Sequence, residues 1–348
     1  MAEVRIYFAS DYMEGAHPAV MAKLMETNLL KTEGYGLDRF CDRAKELIRA
    51  ACGCEKAQVE FLVGGTQANA TVIDAALPRY AGVIAPASGH INAHEAGAVE
   101  SGGHKILPLP HELGKITASQ IERCAADWKN DANRDHMIMP GMVYLSQPTE
   151  YGTLYSLAEL EAISEVCRRY GILLFVDGAR LAYALASPKN DVTLPDLARL
   201  CDVFYIGGTK CGALFGEAVV IPSGNLIPHF FTTIKQHGAL LAKGRLLGVQ
   251  FGALFENGLY FELGKNAVDL AGKLKSGLKK LGYELLFDTP TNQVFVITDD
   301  VAMKRLAQKI EFAFFDKYDE TRSIIRFCTG WATTEADVDA LLAACGPV

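Results

Sequence analysis

Three short stretches of the chain combine residue types that could share one reaction centre. Gly207-Gly208-Thr209-Lys210-Cys211-Gly212 holds a lysine in a glycine-rich turn. Its plainest reading is a surface lysine, but between glycines at the edge of a sheet its ammonium could be desolvated, so that the amine attacks a carbonyl. Asp177-Gly178-Ala179-Arg180 puts a carboxylate at the end of an apolar run at 172–176. That charge needs a partner, and the segment reads equally as a helix cap or an ion pair with Arg180. Gly64-Gly65-Thr66-Gln67 follows an apolar run at 59–63 and precedes a helical pattern. Backbone N–H groups at a helix start favour an anion, although a glycine turn capped by threonine looks the same.

An anion cup, a carboxylate and an amine together are what pyridoxal phosphate requires. Gly64, Gly65 and Thr66 would take the phosphate, Asp177 would keep the pyridine nitrogen protonated, and Lys210 would carry the aldehyde as a Schiff base. A dinucleotide would use the glycines and leave the lysine without a role.

These residues need a scaffold that brings strand ends together. Apolar runs at 59–63, 83–85, 105–109, 142–146, 172–176, 203–206 and 218–221 alternate with helical patterns. The alternation predicts an α/β fold with a parallel or mixed sheet covered by helices, and ligands then gather beyond the carboxyl ends of the strands. Ser156 with Glu159 three residues on predicts a capped helix ending at Gly171. From about 240 the pattern changes to long helices through 279. Short strands follow at 283–287, 293–297 and 324–328, then a last helix opening near Thr334, which predicts a large domain over 1–239 and a smaller α+β domain over 240–348. The polar stretch 127–136 reads as a surface loop.

With 34 Lys and Arg against 41 Asp and Glu, the net charge is −7 and no basic run follows a phosphate backbone, which excludes a nucleic-acid partner. No apolar run spans a bilayer, and MAEVRIYFASDYMEG has no basic leader, so a cytoplasmic protein without membrane contact is expected. Nine cysteines without zinc-ribbon spacing read as reduced and structural. His90 and His94 beside Glu95 have metal-like spacing but no third ligand, so no metal is expected. His104, His111, His136, His229 and His237 read as surface residues.

The chain resembles the low-specificity L-threonine aldolases and their β-eliminating lyase relatives. The resemblance runs nearly full length through FASDYMEGAHPAV, TEGYGLDRF, FLVGGTQAN, GHINAHEAGAVE, LSQPTEYGTLYSLAEL, LLFVDGARL, GGTKCGA, KGRLLGVQFGALF and IIRFCTGWATTEADVDALL. It implies the aspartate aminotransferase-like fold (fold type I), with a mostly parallel seven-stranded sheet. By the same resemblance Lys210 is the Schiff-base lysine, Asp177 the partner of the pyridine nitrogen, and Gly64, Gly65 and Thr66 the phosphate site. His90 would stack on the ring and Arg180 lie near its hydroxyl. Ser10 and Arg326 would grip the substrate carboxylate. Arg245, with Lys235, would reach a neighbouring subunit's phosphate, which implies a homodimer or homotetramer with shared sites.

Two departures stand out. Thr149-Glu150-Tyr151-Gly152 occupies the place of the family's Thr-His-Asn-Gly, so Glu150 replaces a histidine near the substrate hydroxyl. Gly-Gly-Thr-Lys replaces Ser-Leu-Ser-Lys. The implied activity is retro-aldol cleavage of a small β-hydroxy-L-amino acid (threonine, allo-threonine or a bulkier one such as phenylserine) to glycine and an aldehyde. Lys210, His90 and Glu150 are the candidate catalytic residues. β-Elimination or transamination on the same cofactor, or a non-catalytic protein on this fold, are the alternatives.

Overall fold

In the computed structural model, which describes residues 5–347, the best-signalled helix runs Leu157–Tyr170. Ser156 accepts the Glu159 amide, and the Glu159 side chain accepts the Ser156 amide in return. Such a cap is worth about 1 kcal/mol. Gly171, at φ 67°, ends the helix.

The strands in chain order are β1 (Ile6–Tyr7), β2 (Gln58–Leu62), β3 (Ala81–Pro86), β4 (Ile106–Leu109), β5 (Met139–Ser146), β6 (Leu173–Asp177), β7 (Val203–Gly207), β8 (Glu217–Ile221), β9 (Glu284–Leu285), β10 (Gln293–Asp299), β11 (Ile310–Glu311), β12 (Ala313–Lys317) and β13 (Arg322–Cys328). A seven-stranded sheet has the order β2-β8-β7-β6-β5-β3-β4. Only β8 breaks its parallel character, pairing antiparallel with both β2 and β7. This is the mostly parallel sheet expected of fold type I.

Apolar strands buried on both faces require helices on both faces, and the alternation of side chains sorts them into two cores. Val143, Leu145, Leu174, Val176, Phe204 and Ile206 enter one core. Met142, Tyr144, Phe175, Val203 and Tyr205 enter the other, against the helix Gly65–Ala76. The register pairs Tyr144 with Phe175 and Ser146 with Asp177. Tyr144, Ser146 and Asp177 therefore project toward that same helix.

A second, antiparallel sheet, β12-β13-β10-β9, packs Val294, Val296, Ile325 and Phe327 against Leu270, Leu274 and Leu278 of the helix Leu259–Lys280. The final helix, Glu335–Cys345, is capped by Thr334. β1 pairs parallel with β11, and the Cys328 amide donates to the Phe8 carbonyl at 2.8 Å. The segment after β1 is thereby tied to the small sheet and delivers Asp11 beneath the strand ends of the large one.

Three local expectations need correction. The loop at 127–136 is helical in its first part, because Thr117 caps a helix, Ala118–Asn130, anchored by buried Ile121 and Ala125. His104 is not a surface residue; it is 1% exposed, with Nδ1 3.1 Å from the Ala81 carbonyl oxygen. Of 283–287 only Glu284–Leu285 is strand. The nine cysteines are free thiols, and no helix of the described residues is long and apolar enough to cross a membrane.

Candidate active site

The carboxyl ends of β6 and β7 are pinched together. The Gly207 amide donates to the Gly178 carbonyl at 3.0 Å. A Cβ on Gly178 would lie 1.9 Å from the Tyr205 carbonyl oxygen, and one on Gly207 2.4 Å from that of Ala179. Only glycine permits this approach. It brings Asp177 and Lys210 to one hollow of about 290 Å3, floored by Gly64, Gly65 and Thr66 at the start of the Gly65–Ala76 helix. The lysine turn is closed by Gly208 and Thr209 amides donating to the Gly216 carbonyl, and the Tyr183 hydroxyl donates to the Lys210 carbonyl. Burial, and then the Arg180 charge, lower the pKa of the Lys210 ammonium.

Asp177 is 5% exposed. One oxygen accepts from the Tyr144 hydroxyl at 2.6 Å and the Asn69 amide at 3.1 Å, the other from the Ala179 amide at 2.9 Å. Burial alone would raise its pKa; the Tyr144 and Ala179 hydrogen bonds outweigh it, and the net shift is downward. The carboxylate therefore stays ionised. Arg180 is not its partner: the guanidinium binds Asp11 bidentately at 2.6 and 2.9 Å. Asp11, buried and also bonded by Asn292 at 2.9 Å, would be raised by burial, but the Arg180 charge holds it at about 2.

His90 presents its ring to the hollow, with Nδ1 2.7 Å from Glu95 Oε1, which also accepts from Asn69 at 2.7 Å. Glu150 Oε1 accepts the His90 backbone amide at 3.0 Å and the Ser146 hydroxyl at 2.7 Å. Glu150 Oε2 is buried without a partner. Burial raises the Glu150 pKa against the pull of the Ser146 hydroxyl. An outer hollow of about 490 Å3 shares Tyr12, His90, Glu150, Arg180 and Lys210 with the first and adds Arg326. Arg326 is held by Gln293 Oε1 at 3.0 Å and the Ala9 carbonyl at 3.4 Å, while its Nε is buried and unpartnered.

Lys210, Asp177, Gly64, Gly65, Thr66, His90, Arg180, Glu150 and Arg326 thus converge. Three of the expected residues do not join them. Ser10 is half-buried and lines neither hollow. Arg245 donates to the carbonyls of Thr27, Asn28 and Leu30 in its own chain, and Lys235 Nζ lies 4.5 Å from the centre of the Tyr35 ring. Asp11, Asn69, Tyr144, Tyr205 and Glu217 belong to the site without having been singled out in the sequence, and Glu95, weighed there only beside His90 and His94 for a metal, instead holds the His90 ring.

The residues fit pyridoxal phosphate. The Tyr205 hydroxyl is buried, unpartnered, and 3.0 Å from where a Cβ on Gly65 would sit, while nothing lies within 4 Å of a Cβ on Gly64. Room for an anion therefore remains at the helix start, with an ionised carboxylate and a depressed lysine beside it. Among the described residues no group of three or more side chains is arranged to hold a metal.

Comparison with known proteins agrees. The low-specificity L-threonine aldolase of Pseudomonas sp. is 32% identical over 97% of this chain and 96% of its own; that of Pseudomonas aeruginosa is 31% identical over 94% and 93%. The solved threonine aldolase of Leishmania major superposes with a TM-score of 0.94 at 41% identity, covering 97% of this chain and 98% of that one. The aspartate aminotransferase of Thermus thermophilus, at 15% identity and a TM-score of 0.72 over 98% and 91%, shares the fold. A model of the β-eliminating lyases matches residues 8–301, and the chain belongs to that family of pyridoxal-phosphate enzymes.

Proposed function

We propose that this chain is an aldehyde lyase that cleaves a β-hydroxy-L-amino acid such as threonine or allo-threonine to glycine and an aldehyde. The observation that carries the reading is the meeting of Lys210, Asp177 and the Gly64-Gly65-Thr66 helix start in one hollow, with Arg326 in the hollow above it. The names of the aldolase relatives support the substrate class.

Gly64, Gly65 and Thr66 would hold the cofactor phosphate, Asp177 the pyridine nitrogen, Lys210 the aldehyde carbon, His90 the ring face and Arg180 the ring oxygen. Bound pyridoxal phosphate supplies an electron sink for charge developing at the substrate α-carbon. Arg326 orients the substrate by its carboxylate; Ser10 would need to turn inward to assist. Glu150 takes the β-hydroxyl proton at Oε2 as the carbon–carbon bond opens. Incubating the loaded enzyme with β-hydroxy amino acids, serine and tyrosine tests the reading: glycine plus aldehyde supports it, whereas ammonia and a keto acid as the main products would mean β-elimination.

Arg326→Ala is expected to raise KM for the amino acid by about 30-fold, equivalent to ~2 kcal/mol, with cofactor affinity unchanged. An unchanged KM moves the carboxylate clamp elsewhere.

The reading extends to assembly: a homodimer or homotetramer in the cytoplasm, with a large domain over 1–239 and a small one over 240–348. Leu29 is 91% exposed, Met25 71% and Leu37 62%, exposed apolar side chains of the kind that another subunit covers. Arg245 and Lys235 lie against the same segment, at Asn28 and Tyr35, and among the described residues Lys210 and Arg180 are the lysine and arginine that line the inner hollow. A second copy would supply the missing phosphate cation. Light scattering should give a mass two or four times that of the chain; a monomer at micromolar concentration would overturn this.

A further inference from the structure

Glu217 opens β8 and is 3% exposed, a carboxyl inside the protein that the reaction outlined above does not use. Its register partners are Leu62 on β2 and, on β7, Gly207, three residues before Lys210. Both of its contacts come from the lysine turn: Oε1 accepts from the Thr209 hydroxyl at 2.7 Å and Oε2 from the Gly208 amide at 3.2 Å. Thr209 in turn accepts the Gly216 amide at 3.0 Å, so the carboxyl and the turn form one closed unit. Glu217 and Lys210 line the same hollow.

The other buried carboxyls at the lysine are engaged differently. Asp11 has a bidentate guanidinium, and Asp177 has three donors that keep it ionised. Among the described residues Glu217 has no cation within ion-pair distance, and two neutral donors are weak compensation for a charge taken out of water. Burial accordingly holds its pKa well above the usual carboxylate range, with Asp177 adding to the rise and Lys210 opposing it. The remaining groups near the pair keep their protons: burial drives the Tyr183, Tyr205 and Tyr260 phenols up and the Cys211 thiol to about 12, and Arg180 stays charged. Tyr12, whose ring centre is 5.8 Å from Lys210 Nζ, faces the lysine from the N-terminal segment.

We propose that Glu217 tunes Lys210 across the hollow, a positioning residue that is a carboxylate while the lysine is an ammonium and a neutral acid while the amine is bonded. This rests on the reading of Lys210 as the cofactor lysine. The two protonation states are linked by charge alone, with no bond made or broken between them: a proton on the lysine favours the carboxylate, and loss of the lysine charge favours the neutral acid. With the amine bonded, Glu217 holds the proton and stays neutral, which explains how a carboxyl with no cation partner survives inside the sheet.

The test follows Lys210 in the cofactor-stripped full-length chain. Added pyridoxal phosphate is captured across a pH series, the linkage is fixed with borohydride, and the labelled peptide is quantified. A Glu217 anion raises the lysine pKa, whereas burial and Arg180 lower it. Glu217→Gln removes only the raising influence. The capture midpoint should therefore fall by about one pH unit, with about tenfold faster capture below it, while turnover of the loaded enzyme slows. Mere structural damage would slow both. Thr209→Val, which removes a donor to the ionised carboxylate, should shift the midpoint the same way by less, and decides the matter if Glu217→Gln does not fold. A midpoint that stays in place or rises in the folded variant overturns the proposal. A wild-type Lys210 that captures no cofactor would instead overturn the assignment of the lysine itself.

Discussion

Lys210→Ala is expected to abolish the visible absorbance of the loaded enzyme, leave nothing for borohydride to fix to the chain, and reduce turnover by on the order of 10⁴-fold or more, the scale on which covalent nucleophiles act. Three features of the lysine carry this expectation. It sits on a turn closed through Gly216 and the Tyr183 hydroxyl, it shares a hollow with Asp177, and its ammonium is destabilised by burial and by Arg180. The substitution removes a side chain from a cavity and leaves the backbone contacts of the turn in place, so the thermal midpoint should hold. Loss of activity with a collapsed melt would report unfolding; loss with an intact melt assigns the nucleophile. A linkage that borohydride still fixes in the alanine variant would mean that another lysine carries the cofactor.

The parts of this site that were legible from the residues alone, without the family resemblance, share a property: each lies at or just beyond the end of its own strand. Asp177 ends the LLFV run, Lys210 comes three residues after β7, and Gly64 comes two after β2, so continuous apolar runs and strand-end placement locate them without knowledge of the fold. The residues missed act through contacts distant in sequence. Asp11 meets Arg180 across 169 positions and Asn292 across 281, and Asn69 meets Asp177 across 108. Asp177 and Arg180, two candidates for one ion pair, separate because Asp11 arrives from the N-terminal segment and Tyr144 from the adjacent strand. Tyr144 and Tyr205 read as apolar strand residues until the register turns their hydroxyls toward the site. His104 looks polar in its local context, but it is buried between Ala81 at the start of β3 and Asp74 of the Gly65–Ala76 helix, 3.6 Å from its Nε2. Glu217 stands just before the apolar run at 218–221, and only the antiparallel return of β8 sets it against the lysine turn.

Glu150→Gln separates a proton acceptor from a loop anchor. Glu150 Oε1 is occupied by the His90 amide and the Ser146 hydroxyl, which fixes the side chain between the two hollows. Oε2 is the free oxygen, buried and without a partner, and burial raises the pKa of the group. A base in this setting gains proton affinity as it loses water, which suits it to a substrate hydroxyl. Glutamine keeps an acceptor for His90 and Ser146 and removes the base, so cofactor absorbance and melting temperature should hold while kcat falls by ~10²-fold. The sign of the pH dependence is set by the raised pKa. The base form appears only above it, so the wild-type rate should climb with pH through an acid limb lying higher than an ordinary carboxylate gives, and that limb should be missing in the glutamine variant. A variant with near-normal retro-aldol turnover and the acid limb intact would leave Glu150 as the anchor of the His90 amide. The β-hydroxyl proton would then pass to His90, whose Nδ1 is already held by Glu95.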